Sequence, residues 1–123
     1  NKNMMKNKED WPPQTRPEDY EICDTVLIAK GKLAEKFDVN LEDFNQKTSR
    51  ELKVVEARRF LVYFLVKELG VRPTHIKWFV PCLTNHASAL HHVKKMEWFI
   101  KTEKGKKEEY EDFRYSMVNG LLE

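Results

Sequence analysis

Arg72-Pro73-Thr74-His75-Ile76-Lys77-Trp78-Phe79, a break at Val80 to Leu83, and then Thr84-Asn85-His86-Ala87-Ser88-Ala89-Leu90-His91-His92-Val93-Lys94-Lys95 dominate a segment without one acidic residue. That segment runs from Gly70 to Met96 and holds all four histidines of the chain. Its pattern predicts a helix-turn-helix at about residues 73–102. Pro73 suits a first helical turn, where its missing N–H would lack a partner anyway. Asn85 suits the N-cap of the second helix, because its side-chain oxygen can accept a backbone N–H there. Onward from Asn85, Ala89, Val93, Met96 and Ile100 recur at i, i+4, i+7 and i+11, a single stripe that faces a core. His86, Ser88, His92 and Lys95 fall largely off that stripe. A polar tip, small side chains behind it and lysines farther on suit a helix that enters the DNA major groove. Small residues permit close approach, polar ones reach base edges, and cations meet phosphate.

The rest of the chain organises around this segment. Leu61 to Val66 is apolar nearly all the way round, so a helix from about Glu51 to Leu69 is expected to be central and buried. Gly70 ends it as a left-handed residue. Before it, Ile22, Val26, Ala29, Leu33 and Phe37 share a helical face, opened by Pro17-Glu18-Asp19. Leu41 to Phe44 reads as one helical turn with Leu41 and Phe44 turned inward, and Gln46 to Arg50 as a basic loop. After the penultimate helix, Gly105 marks a break, and a last amphipathic helix carries Tyr110, Phe113, Met117 and Leu121. No strand alternation and no internal repeat is visible. The expected fold is all-α: a flexible arm over residues 1–17 and one helical domain over 18–123.

The net charge of +2 conceals an asymmetry. Lys47 to Lys107 carries 14 Lys/Arg against 5 Asp/Glu, whereas the remainder carries 8 against 15. A basic central face suits a polyanionic partner. Cys23 and Cys82 are far apart with no paired spacing, which fits a reducing compartment rather than a disulfide scaffold. No run approaches the roughly 18 apolar residues of a membrane span. Cytoplasmic residence and no membrane partner are therefore expected.

Glu56-Ala57-Arg58-Arg59-Phe60-Leu61-Val62-Tyr63-Phe64-Leu65-Val66-Lys67-Glu68-Leu69, the Pro-x-x-Ile segment at Pro73 to Ile76, and Asn85-His86-Ala87-Ser88-Ala89-Leu90-His91 together resemble a known family. It is the C-terminal DNA-binding domain (domain IV) of the bacterial replication initiator DnaA, a Trp-repressor-like helical fold. The family signature, Arg-Asp-His-Thr-Thr-Val-Leu-His, opens its recognition helix. The resemblance spans about Asp19 to Phe99 and is sharp over some ten residues. It implies double-stranded DNA binding, with a helix-turn-helix in the major groove and a basic loop in the adjacent minor groove.

Carried over by position, His86, Leu90 and His91 match the signature, and Lys94-Lys95 match its basic pair. Ser88 stands in for the second threonine, a phosphate contact in the family. Asn85 replaces the aspartate that reads a base, Ala87 replaces the first threonine, and Thr84 replaces the arginine. Cys82 and Leu83 occupy the place of two glycines, and Lys47, Arg50 and Lys53 form a thinner basic loop. An Asn85 carboxamide donates as well as accepts, so the family's usual origin box is not implied as the target. The family's ATPase module requires Gly-x-x-x-x-Gly-Lys-[Ser/Thr], and this sequence has no such loop. The resemblance thus implies the DNA-binding module alone, of a kind a phage or mobile element encodes, or one part of a longer protein.

Other readings of the same residues are weaker. Cys82-x3-His86 and His86-x5-His92 lack the tight paired spacing of structural zinc, so neither metal nor cofactor is expected. His91 reads as a partly buried residue bonding locally. Trp78, Phe79 and Trp98 read as core and hinge packing, and Arg58 and Arg59 as facing either the groove or solvent. Nothing resembles a catalytic constellation, so an enzyme is not expected. Trp11 in the arm is a candidate docking point for a protein partner. A helical protein–protein adaptor, or a transcriptional regulator derived from the same fold, is the alternative function.

Overall fold

The computed structural model describes residues 21–46 and 50–122, with side chains to 119. The arm at 1–17 with Trp11, the start of the first helix at Pro17-Glu18-Asp19, Lys47 and the Leu121 side chain lie outside the described residues. Among these residues every regular element is helical: α1 (Cys23–Phe37), α2 (Glu42–Asn45), α3 (Leu52–Lys67), a 3-10 helix (Pro73–Trp78), α4 (His86–Thr102) and α5 (Lys104–Leu122). None of these helices is long and apolar enough to cross a membrane.

α3 is the axle of the core, as its sequence requires. Ala57, Phe60, Leu61, Val62, Phe64 and Leu65 on it are all but fully buried. Val26, Ala29 and Leu33 of α1, Ala89, Val93 and Met96 of α4, and Tyr110, Phe113 and Met117 of α5 enclose it. Each such large side chain contributes about 1.5–3 kcal/mol through removal from water. At the centre, Phe60 meets Phe37 edge-on at 5.0 Å and Tyr110 at 6.0 Å between ring centroids. Gly70 does end the α3 region, at φ +71°. This left-handed residue lets the Val71 N–H return to the Leu65 carbonyl at 2.9 Å.

The short helix expected to open at Pro73 or Thr74 and to end before Pro81 is present as a 3-10 helix over Pro73–Trp78. Two local expectations need correction. Leu41 is 54% exposed while Phe44 is fully buried; Leu41 precedes α2 as its N-cap residue and stays outside the core. The break before α5 falls at Glu103, which is extended at φ −122° and ψ 106°, not at Gly105. Gly105 lies inside the first turn of α5, where a backbone N–H has no intrahelical partner to lose.

Candidate nucleic-acid interface

The first turn of α4 is built by its cap. Asn85, extended at φ −111° and ψ 127°, accepts the Ala87 N–H on its side-chain oxygen at 2.8 Å, and its carbonyl accepts from Ser88 at 3.0 Å. The outcome is a tip on which Thr84, Asn85, His86, Ala87 and Ser88 are all exposed. The cap also narrows what Asn85 can offer outward. Its oxygen is engaged by its own helix, so its amide N–H groups are the donors left for a partner. Asn85→Ala is expected to lower thermal stability by about 1 kcal/mol, and Asn85→Asp to keep the cap and the melting temperature. Calorimetric melts of the two variants check this.

α4 projects its charge in one direction. Ala87, His91, Lys94, Trp98 and Lys101 follow at helical spacing along its outer face, opposite the buried stripe of Ala89, Val93, Met96 and Ile100. Lys94 and Lys95 are exposed and have no ion-pair partner among the described residues. Glu97, the one acid on α4, is drawn sideways to Lys67 at 2.8 Å. The outer face therefore carries cations without countercharge.

A concavity of about 400 Å3 opens beside the tip, between α4 and the start of α3. Arg50 and Val55 line one wall, Ala87, Ser88 and His91 the other, and Arg58, Leu83 and His92 complete the lining. Arg50 thus lines the same concavity as the α4 tip. Lys53 does not. It points to Asp38 at 3.7 Å, two residues and about 200° round α3 from the cleft-lining Val55.

Arg58 faces neither groove nor solvent. It is 4% exposed, and its guanidinium donates to the Asp43 carbonyl at 2.7 Å and the Gln46 carbonyl at 3.2 Å. These are carbonyls at the end of α2, groups that have no partner within so short a helix. From the other side, Lys30 of α1 donates to Asn45 Oδ1 at 3.2 Å, and burial pulls its pKa down. α2 is thus held between two cations, Lys30 of α1 and Arg58 of α3.

The adjacent histidines exchange their expected roles. His91 is exposed, whereas His92 is mostly buried against α3, and its Nδ1 is shielded from solvent without a hydrogen-bond partner. Burial first, and then the charges of Arg59, His91 and Arg58, push its pKa down to about 4. His92 is therefore a neutral ring in the cleft. Arg59 lies flat over Phe99, 5.1 Å from the ring centroid, and burial lowers its pKa as well.

Of the aromatics expected in the core, Phe79 is buried and Trp78 is half-buried, stacked at 4.2 Å on His75. Trp98 is 56% exposed. The spacing could have shown this, since Trp98 follows Ala89 by nine residues and so points about 180° from the stripe. Cys23 is exposed and Cys82 buried, both as free thiols. No group of three His, Cys, Asp or Glu among the described residues is placed to hold a metal ion. No protein-family model, curated protein or solved structure matches this chain.

Proposed function

We propose that this chain binds double-stranded DNA by laying the first turns of α4 in the major groove, the 3-10 helix and α4 acting as the two arms of a helix-turn-helix. The observation that carries the reading is the outer face of α4: an exposed tip of Thr84 to Ser88 continuous with Lys94 and Lys95, which have no ion-pair partner among the described residues. His86 and the Asn85 amide are the groups able to address base edges. Ser88, Lys94, Lys95 and Arg50 are placed for phosphates on either side of the tip. The motif resemblance extends the proposal to origin recognition by a replication initiator; a transcriptional regulator would use the same contacts.

Fluorescence anisotropy on random duplexes, titrated with salt, tests it. Micromolar binding that weakens with salt is expected, with a slope of log affinity against log salt of about −0.9 per phosphate neutralised. Lys95→Ala should lower affinity for all duplexes alike and flatten the slope by about one contact, while His86→Ala should relax base preference and leave the slope alone. Absence of salt-dependent binding would overturn the reading. Capture of a partner protein that survives nuclease would favour the helical adaptor instead.

A further inference from the structure

We infer that the far end of the same α4 face, centred on Trp98, holds an unpaired nucleotide of a DNA strand lying beyond the duplex; this rests on the duplex-binding reading above. The indole is 56% exposed, yet it is not loose: it stands edge-on against Phe99, with centroids 5.3 Å apart. A shallow concavity of about 310 Å3 lies in front of it, lined by His91, Lys94, Lys95 and Trp98. Lys101 follows Lys94 by seven residues on the same face and is exposed. A held aromatic plane bordered by free cations is the arrangement that stacks a base while phosphates are neutralised.

Placement selects the unpaired strand over the duplex. Trp98 lies twelve residues beyond His86, about 18 Å along the helix axis. The major groove is about 12 Å wide, so a helix whose tip reads bases carries Trp98 out past the groove. Bases within a duplex have both faces stacked, so only an unpaired base offers a face to the indole. A lipid surface fits less well. An interfacial helix needs a continuous apolar stripe, whereas His91, Lys94 and Lys95 separate Leu90 from Trp98 here.

The test compares three oligonucleotides with the full chain: a blunt duplex, the same duplex with a six-thymine tail, and the tail strand alone. Vesicles of phosphatidylglycerol form a fourth arm. The tail is expected to tighten binding by about tenfold, the scale of one stacked base. Trp98→Ala should abolish that gain without altering blunt-duplex affinity, and Trp98→Phe should keep most of it. Equal affinity for blunt and tailed duplex, or a gain that survives Trp98→Ala, overturns the inference and leaves the duplex reading standing. Tail and single-strand binding without blunt-duplex binding overturns both readings, because Trp98 is placed beyond a duplex that the tip must hold. Trp98-dependent binding to vesicles with no tail gain assigns the site to lipid and overturns it. If no oligonucleotide binds, both readings fall.

Discussion

Arg58→Ala is expected to lower the unfolding free energy by about 2 kcal/mol, because the carbonyl of buried Asp43 loses the Arg58 donor, at about 1–3 kcal/mol for an unpaired group, whereas the carbonyl of exposed Gln46 can turn to water. Among the described residues the guanidinium bridges these two carbonyls. Two further variants separate the causes. Arg58→Met keeps the buried stem and removes both hydrogen bonds, so it should retain most of the loss. Arg58→Lys has a point charge instead of a fork, reaches one carbonyl at best, and should fall about midway. Urea titration of the three variants measures the differences. A loss below about 1 kcal/mol for Arg58→Ala would mean that α2 is held by its packing and Lys30 alone.

Where a single helix decided the outcome, the sequence was readable. The stripe of Ala89, Val93, Met96 and Ile100, the Asn85 cap and the Gly70 stop all follow from local geometry, and all three are present. Errors arose where a neighbour decided. His92 sits at the flank of its own stripe, three residues after Ala89, and α3 covers that flank with Arg58 and Arg59; nothing in α4 alone marks it. Arg58 was misread for the same reason, since its partners are carbonyls of α2, and backbone groups leave no trace in a sequence pattern. Lys53, expected with the basic loop, lies on α3 and is exposed, 3.7 Å from the exposed Asp38 carboxylate. Trp98 was a different failure. Its position was calculable, but its side-chain type argued for burial, and type prevailed over phase.

The candidate site inherits this division. The tip, Thr84 to Ser88, is exposed because a capped first turn always projects its leading residues, so its exposure was expected from sequence. The cleft beside it was not, because it exists only where the α3 start and the α4 start approach one another. Arg50 contributes to the site through that approach.

Acid should weaken this protein through the cleft before it titrates the carboxylates. His92 has an ordinary value of 6.5 in the unfolded chain and about 4 in the fold. The sign follows directly. A base whose folded pKa is depressed binds fewer protons folded than unfolded, so its stabilising contribution is complete above pH 6.5. It is lost as pH falls from there toward 4, where the folded state protonates too. A shift of this size is worth at most about 3 kcal/mol over the window. Two arginines of α3, Arg58 and Arg59, oppose the new charge, and no carboxylate contributes to the shift of His92. Over the interval from pH 6.5 to about 5, the difference between the wild type and a His92 variant isolates this ring from the other titrating groups. Urea midpoints of the wild type should fall steadily across it, whereas His92→Phe, a ring of similar size that cannot take a proton, should remove most of the slope. Parallel slopes in wild type and variant would place the acid sensitivity elsewhere and show that the ring protonates in the fold as readily as in water.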